Sequence, residues 1–128
     1  SAGTGKSCLF RQVHQKALRL GRQSICLDAT GLDGTELAFR VASDCQADVD
    51  ESDSSARVWS RLQTHLLSLS VVQQPLVVLI DHFDLVDFSC SQSLRRLIDL
   101  AEATDAHLTL LIACRERFTA PLLLDAVE

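Results

Sequence analysis

Two short apolar runs, PLVVLI leading into Asp81 and HLTLLIAC from His107 to Cys114, constrain this chain more than anything else in it. Neither alternates between apolar and polar residues as a half-wet strand does. Runs of this kind suit parallel strands covered on both faces. A shorter run reads as a further strand over Ser24–Asp28. Between the runs the period changes. Leu9, Phe10, Val13, Ala17 and Leu20 recur at helical spacing, and Gly21 is a natural C-terminal stop. Leu37, Ala38, Val41 and Ala42 mark a second helix. Val58, Trp59, Leu62, Leu66 and Leu69 mark a third, capped by Asp53 or Ser54, and Leu94, Leu97, Ile98 and Ala101 a fourth. The segment APLLLDAVE reads as the start of a last helix. Alternation of helix and strand predicts an α/β fold, with a parallel sheet and right-handed crossovers.

The 128 residues suffice for one domain with a real core, and 47% of them are apolar. Net charge is −5, and only two of the twelve cationic residues are lysines. That balance offers no electrostatic footprint for nucleic acid or an anionic membrane. The acidic stretch QADVDESDSS reads as a solvated loop. Five cysteines, odd in number and without a CxxC pair, argue against a disulfide framework or a metal site. Cys26 and Cys114 fall inside apolar runs and read as reduced core thiols of an intracellular, cytoplasmic protein. No run approaches the ~18 residues of a membrane span. His14, His65 and His107 have no partners at metal-ligand spacing and read as ordinary surface residues.

Chemistry concentrates at the first seven residues, SAGTGKS. Gly3, Thr4, Gly5, Lys6 and Ser7 match the end of G-x-x-x-x-G-K-[ST], in which glycines let backbone N–H groups converge on phosphate oxygens at a helix N-terminus. Lys6 then reaches the β- and γ-phosphates and Ser7 places its hydroxyl on Mg²⁺, with Cys8 completing the nucleotide-binding set. The match strengthens because an amphipathic helix follows it and because a hydrophobic strand later ends at Asp81. A carboxylate at that tip can hold the Mg²⁺ that bridges the phosphates. No N-K-x-D follows a later strand, which favours ATP over GTP.

The segments GTGKS, LVVLIDHFDLVD, SLRRLIDLAEAT and HLTLLIACRERF together resemble those of AAA+-type P-loop ATPases, in particular the group around the general secretion pathway protein A ATPases. The resemblance implies a three-layer P-loop fold with sheet order 5-1-4-3-2. Ser24–Asp28, Leu76–Asp81 and His107–Cys114 correspond to family strands 2, 3 and 4. Family strands 1 and 5 are then absent, and residues 1–128 form a partial ATPase domain, cut just before the phosphate loop is complete. Weak nucleotide binding by the chain alone follows as an expectation. So does an unpaired apolar edge on His107–Cys114, which predicts either homodimerisation through that strand or a phosphate loop without its usual conformation.

The chain departs from the family at two places. Where relatives carry a glutamate after the strand-3 aspartate, it has His82, readable either as a base for the attacking water or as a strand-end residue with weakened hydrolysis. Asp84 resembles the extra acidic residues of the signal-transducing STAND ATPases, and equally suits a turn or a helix cap. After the last strand, Arg115 resembles a STAND arginine that senses the γ-phosphate; paired with Glu116 it is simply a surface residue. Arg95 and Arg96 sit mid-helix and read as solvated. The resemblance implies an ATP- and Mg²⁺-dependent ATPase acting on other subunits or domains of a larger protein, in remodelling or secretion-related assembly. Two alternatives stay open. One is a STAND-like switch that hydrolyses weakly. The other is a small-molecule kinase in which Asp28 contacts the acceptor.

Overall fold

The computed structural model describes residues 2–114 and 122–125. The chain runs α1 (Ala2–Arg19), β1 (Gln23–Asp28), α2 (Gly34–Asp44), α3 (Ser55–Val71), β2 (Leu76–Phe83), α4 (Phe88–Thr104), β3 (Leu108–Cys114) and β4 (Leu122–Asp125). The sheet order is β1-β2-β3-β4. The first three strands are parallel, with Asp28 opposite Asp81 and Leu76 opposite Leu108. They are the segments expected as family strands 2, 3 and 4, in that lateral order.

Side chains of the central strand alternate between two cores. Leu76, Val78 and Ile80 pack with Leu37, Val41, Leu62, Leu66 and Leu97 beneath α2, α3 and α4. Val77 and Leu79 pack with Phe10 and Ala17 of α1 on the opposite face. Burial on both faces is what the unbroken apolar run demands, and it produces the three layers. Local signals agree with these boundaries. Asp33 and Glu36 form a reciprocal capping box at the start of α2, Ser54 caps α3 and Asp87 caps α4. In α1 the helical stripe is narrower than its spacing suggests: Phe10 and Ala17 are buried, whereas Leu9 and Leu20 are exposed.

Three expectations are corrected. The segment read as a last helix contains β4, which pairs antiparallel with β3 from Thr109↔Asp125 to Ile112↔Leu122. A short apolar run is ambiguous between helix and strand, and here an open sheet edge supplies the partner that decides it. Consequently the β3 edge is not free to recruit a second copy, because its backbone groups between Thr109 and Ile112 are already paired within the chain. Finally, Cys26 is exposed, while Cys45, Cys90 and Cys114 are buried. β1 lies at the end of the sheet order, and its α1-side face opens to solvent at Cys26. Among the described residues no helix is long and apolar enough to cross a membrane.

Candidate functional site

The carboxyl ends of parallel strands gather the chemistry of an open α/β sheet, because loops there diverge and leave a crevice. Here β1 ends at Asp28 and β2 carries Asp81 directly opposite it. Strand alternation puts Ser24, Cys26 and Asp28 on the same side as α1, and Asp81 follows Val77 and Leu79 onto that side too. Phe10, Arg11, His14, Cys26, Leu27, Asp28 and Asp81 line a cleft of about 400 Å³. His14 fastens α1 to β1 through a 2.7 Å hydrogen bond between its Nδ1 and Ser24 Oγ, so that histidine is a structural tie.

β2 does not stop at Asp81. It makes a bulge, in which Ile80 pairs with Ile112 but Phe83, three residues on, pairs with Cys114 only two further along. The extra residue is His82, at φ +57°. Inserting it returns Phe83 to the α2–α4 core, where it is 1% exposed, and releases His82 toward the strand tips. Among the described residues, the other non-glycine positions in the left-handed region, Gln46, Gln73 and Asp105, each follow the end of a helix. His82 takes that conformation inside a strand, at a cost of roughly 1 kcal/mol.

Three polar groups meet around this bulge. The His82 backbone N–H donates to Asp81 Oδ1 at 2.8 Å. Its ring Nδ1 lies 3.1 Å from Asp28 Oδ1 and 3.7 Å from Asp81 Oδ2. Asp28 Oδ1 also accepts from the Thr30 hydroxyl at 2.6 Å and the Thr30 N–H at 2.9 Å. The Thr30 hydroxyl, helped by its N–H and the His82 imidazole, holds the Asp28 carboxyl below the usual carboxylate range, against the opposing effect of burial.

The site residues read from the sequence come together in part. Asp81 is at the cleft, its side chain 19% exposed. Gly3, Thr4, Gly5, Lys6, Ser7 and Cys8 all fall within α1, so backbone expected as a loop is helical; Lys6 and Ser7 lie about one turn before Phe10. Asp84 is in the turn after β2, where its carboxylate accepts from the Val86 N–H at 2.9 Å, the turn-forming role. Arg115, with Glu116, lies outside the described residues. Arg96 stacks on Trp59, 4.7 Å from the ring centre, and Arg95 pairs with Asp99, so both are occupied on α4. Asp28, considered as a kinase's acceptor contact, has its Oδ1 engaged by Thr30 and His82. Sequence reading missed the Asp28–His82 link, which joins residues 54 apart. A signal for half of it was present: Asp-x-Thr directly after a strand is the pattern of an Asx turn.

A family model described as an AAA domain matches residues 1–120. No curated protein and no solved structure matches the chain.

Proposed function

Since the chain belongs to the AAA domain family, we propose that it binds Mg·ATP at the carboxyl ends of β1 and β2, hydrolyses it, and couples nucleotide state to remodelling or assembly by a larger protein. The observation that carries this reading is Asp81. It stands on a buried parallel strand at the last residue paired with β1, faces α1, and lines a cleft whose other wall begins one turn after Lys6 and Ser7. Its Oδ1 is engaged by the His82 N–H, while Oδ2 lies 3.7 Å from the ring Nδ1. An oxygen donor of that kind fits Mg²⁺, with Ser7 as the second ligand. The ion would neutralise charge on the β- and γ-phosphates.

In this reading Gly3, Thr4, Gly5, Lys6, Ser7 and Cys8 cradle the phosphates. That requires the first turn of α1 to open into a loop. Gly3 and Gly5 favour the change, since each weakens a helix by about 1 kcal/mol relative to Ala. Arg115, which resembles the sensor arginine of some STAND ATPases, would meet the γ-phosphate in this reading. Secretion-related assembly is the process that the resemblance favours. A nucleotide switch with little hydrolysis is the second reading, and it draws on Asp84, whose carboxylate is spent on its turn rather than directed at a water.

Phosphate release under Mg·ATP tests the proposal. Asp81→Asn is expected to remove Mg²⁺-dependent turnover while leaving the far-ultraviolet circular dichroism intact. Turnover that is unchanged in that variant contradicts it.

A further inference from the structure

We infer that the groove between α2, α3 and α4 binds an acidic segment of a partner protein, with Arg96 and Trp59 as its anchors. The groove lies on the sheet face opposite α1, apart from the cleft at Asp81. The inference therefore stands whether or not the chain hydrolyses ATP.

The groove measures about 500 Å³, within the ~300–1,000 Å³ typical of ligand clefts, and Arg96 and Trp59 both line it. Each carries an unspent donor. Helices α2, α3 and α4 hold the arginines Arg40, Arg57, Arg61, Arg95 and Arg96. The first four face a carboxylate of the chain, on Asp44, Asp53, Asp48 and Asp99 respectively. Among the described residues Arg96 has no such partner and stacks instead on Trp59, 4.7 Å from the ring centre. Stacking occupies the flat face of the guanidinium and leaves its in-plane N–H donors for an anion.

Trp59 supplies the second donor. It is only 6% exposed, yet its indole N–H meets no acceptor among the described residues and is not sealed from solvent. Buried tryptophans ordinarily find a partner for that group. The other cavity that Trp59 touches, a void of about 10 Å³ beside Leu37, Val41 and Leu62, exposes only apolar atoms. The N–H thus opens on the groove.

A carboxylate satisfies both donors. The chain's own carboxylates nearby do not fill that place, since Asp99 is paired with Arg95, while Asp33 and Asp87 cap α2 and α4. The exposed hydroxyls of Thr35 and Ser55 and the Gln92 amide also line the groove, without partners among the described residues. Polar groups spread over three helices suit the backbone of an extended peptide better than one small anion. Recognition of acidic segments by arginine is a recurrent mode of peptide binding.

Trp59 is the only tryptophan of the chain, so one indole resonance and one emission report on the groove. The probe is acetylated, amidated hexaglutamate, titrated into the whole chain at low ionic strength. The indole N–H resonance is expected to shift saturably, and hexalysine to leave it in place. By tryptophan fluorescence, Arg96→Gln is expected to weaken binding roughly tenfold or more, and Arg96→Lys, which keeps the charge but loses the planar fork, by less. Arg22→Gln removes the same charge at an exposed position outside the groove and should bind as the native chain does. No saturable shift in the native chain overturns the proposal without recourse to any variant, and so does equal affinity in a folded Arg96→Gln. Inorganic phosphate that shifts the resonance at the same concentration as the peptide makes the groove a small-anion site. A shift on concentrating the chain alone gives it to a second copy. Either result overturns the partner peptide.

Discussion

Cysteine environments divide at the residue scale by what surrounds each thiol. Burial, helped by Asp44, pushes the Cys45 thiol up to about 12, and burial with Asp87, Asp84 and Asp33 pushes Cys90 up to about 11. Neither has an appreciable thiolate population at neutral pH. Cys26 is also raised, by partial burial and by Asp81, but it is exposed and lines the cleft. Slow maleimide labelling, read peptide by peptide, is therefore expected at Cys26 and not at Cys45 or Cys90. Mg·ATP is expected to slow the Cys26 reaction severalfold. Labelling of Cys26 that ignores saturating nucleotide places the ligand elsewhere. The apolar context of Cys26 was legible in the sequence, but its exposure was not. The run is the same whether a strand is central or at the edge, and only the sheet order shows that β1 has one neighbour. The Asp28–His82 contact was hidden for a related reason. It depends on a one-residue bulge, and periodicity carries no sign of where a strand gains a residue.

At the scale of elements, the starts and buried faces of α2 and α3 were legible because capping and the 3.6-residue period are local, whereas α1 and α4 each begin earlier than the pattern suggested. How the helices seat on each other was not legible. The N-terminus of α2 packs against that of α4 with Gly34 N–H donating to Ser89 Oγ and Ser93 Oγ–H donating to Gly34 O. A Cβ at Gly34 would lie 2.2 Å from the Ser89 carbonyl oxygen. Gly34→Ala is expected to cost roughly 1–3 kcal/mol, read as a lowered urea midpoint; an unchanged midpoint contradicts this seating. A second tie joins three elements, since Gln23 donates to the Cys45 carbonyl and its Oε1 meets His65 Nε2 at 3.1 Å. Burial lowers the pKa of His65 in the folded chain. The unfolded chain then takes up the proton first, so this contribution is complete above the ordinary imidazole value of about 6.5 and is lost as pH falls from there toward the lowered folded value. His65→Gln should flatten the stability profile in that window. An identical slope in the variant assigns the dependence to another group.

For the whole molecule, the decisive element is β4. Parallel α/β order was readable from the apolar runs and the alternating periods, and the three parallel strands lie in the predicted order. What closes the β3 edge was not readable, because PLLLD is too short for its pattern to choose between helix and strand. The closure has a consequence for assembly. Removing residues 122–128 strips the antiparallel partner from Thr109–Ile112, leaving an apolar edge that favours strand addition. Sedimentation velocity is expected to show concentration-dependent association of the shortened chain and none of the full one. A shortened chain that stays monomeric contradicts the protective role of β4. The most direct measurement of the central claim is calorimetric titration of Mg·ATP into the chain and its Lys6→Ala variant. Saturable binding, weakened about tenfold or more by Lys6→Ala, is predicted. Absent binding, or equal affinity in the two proteins, contradicts a nucleotide site formed by α1 and the ends of β1 and β2.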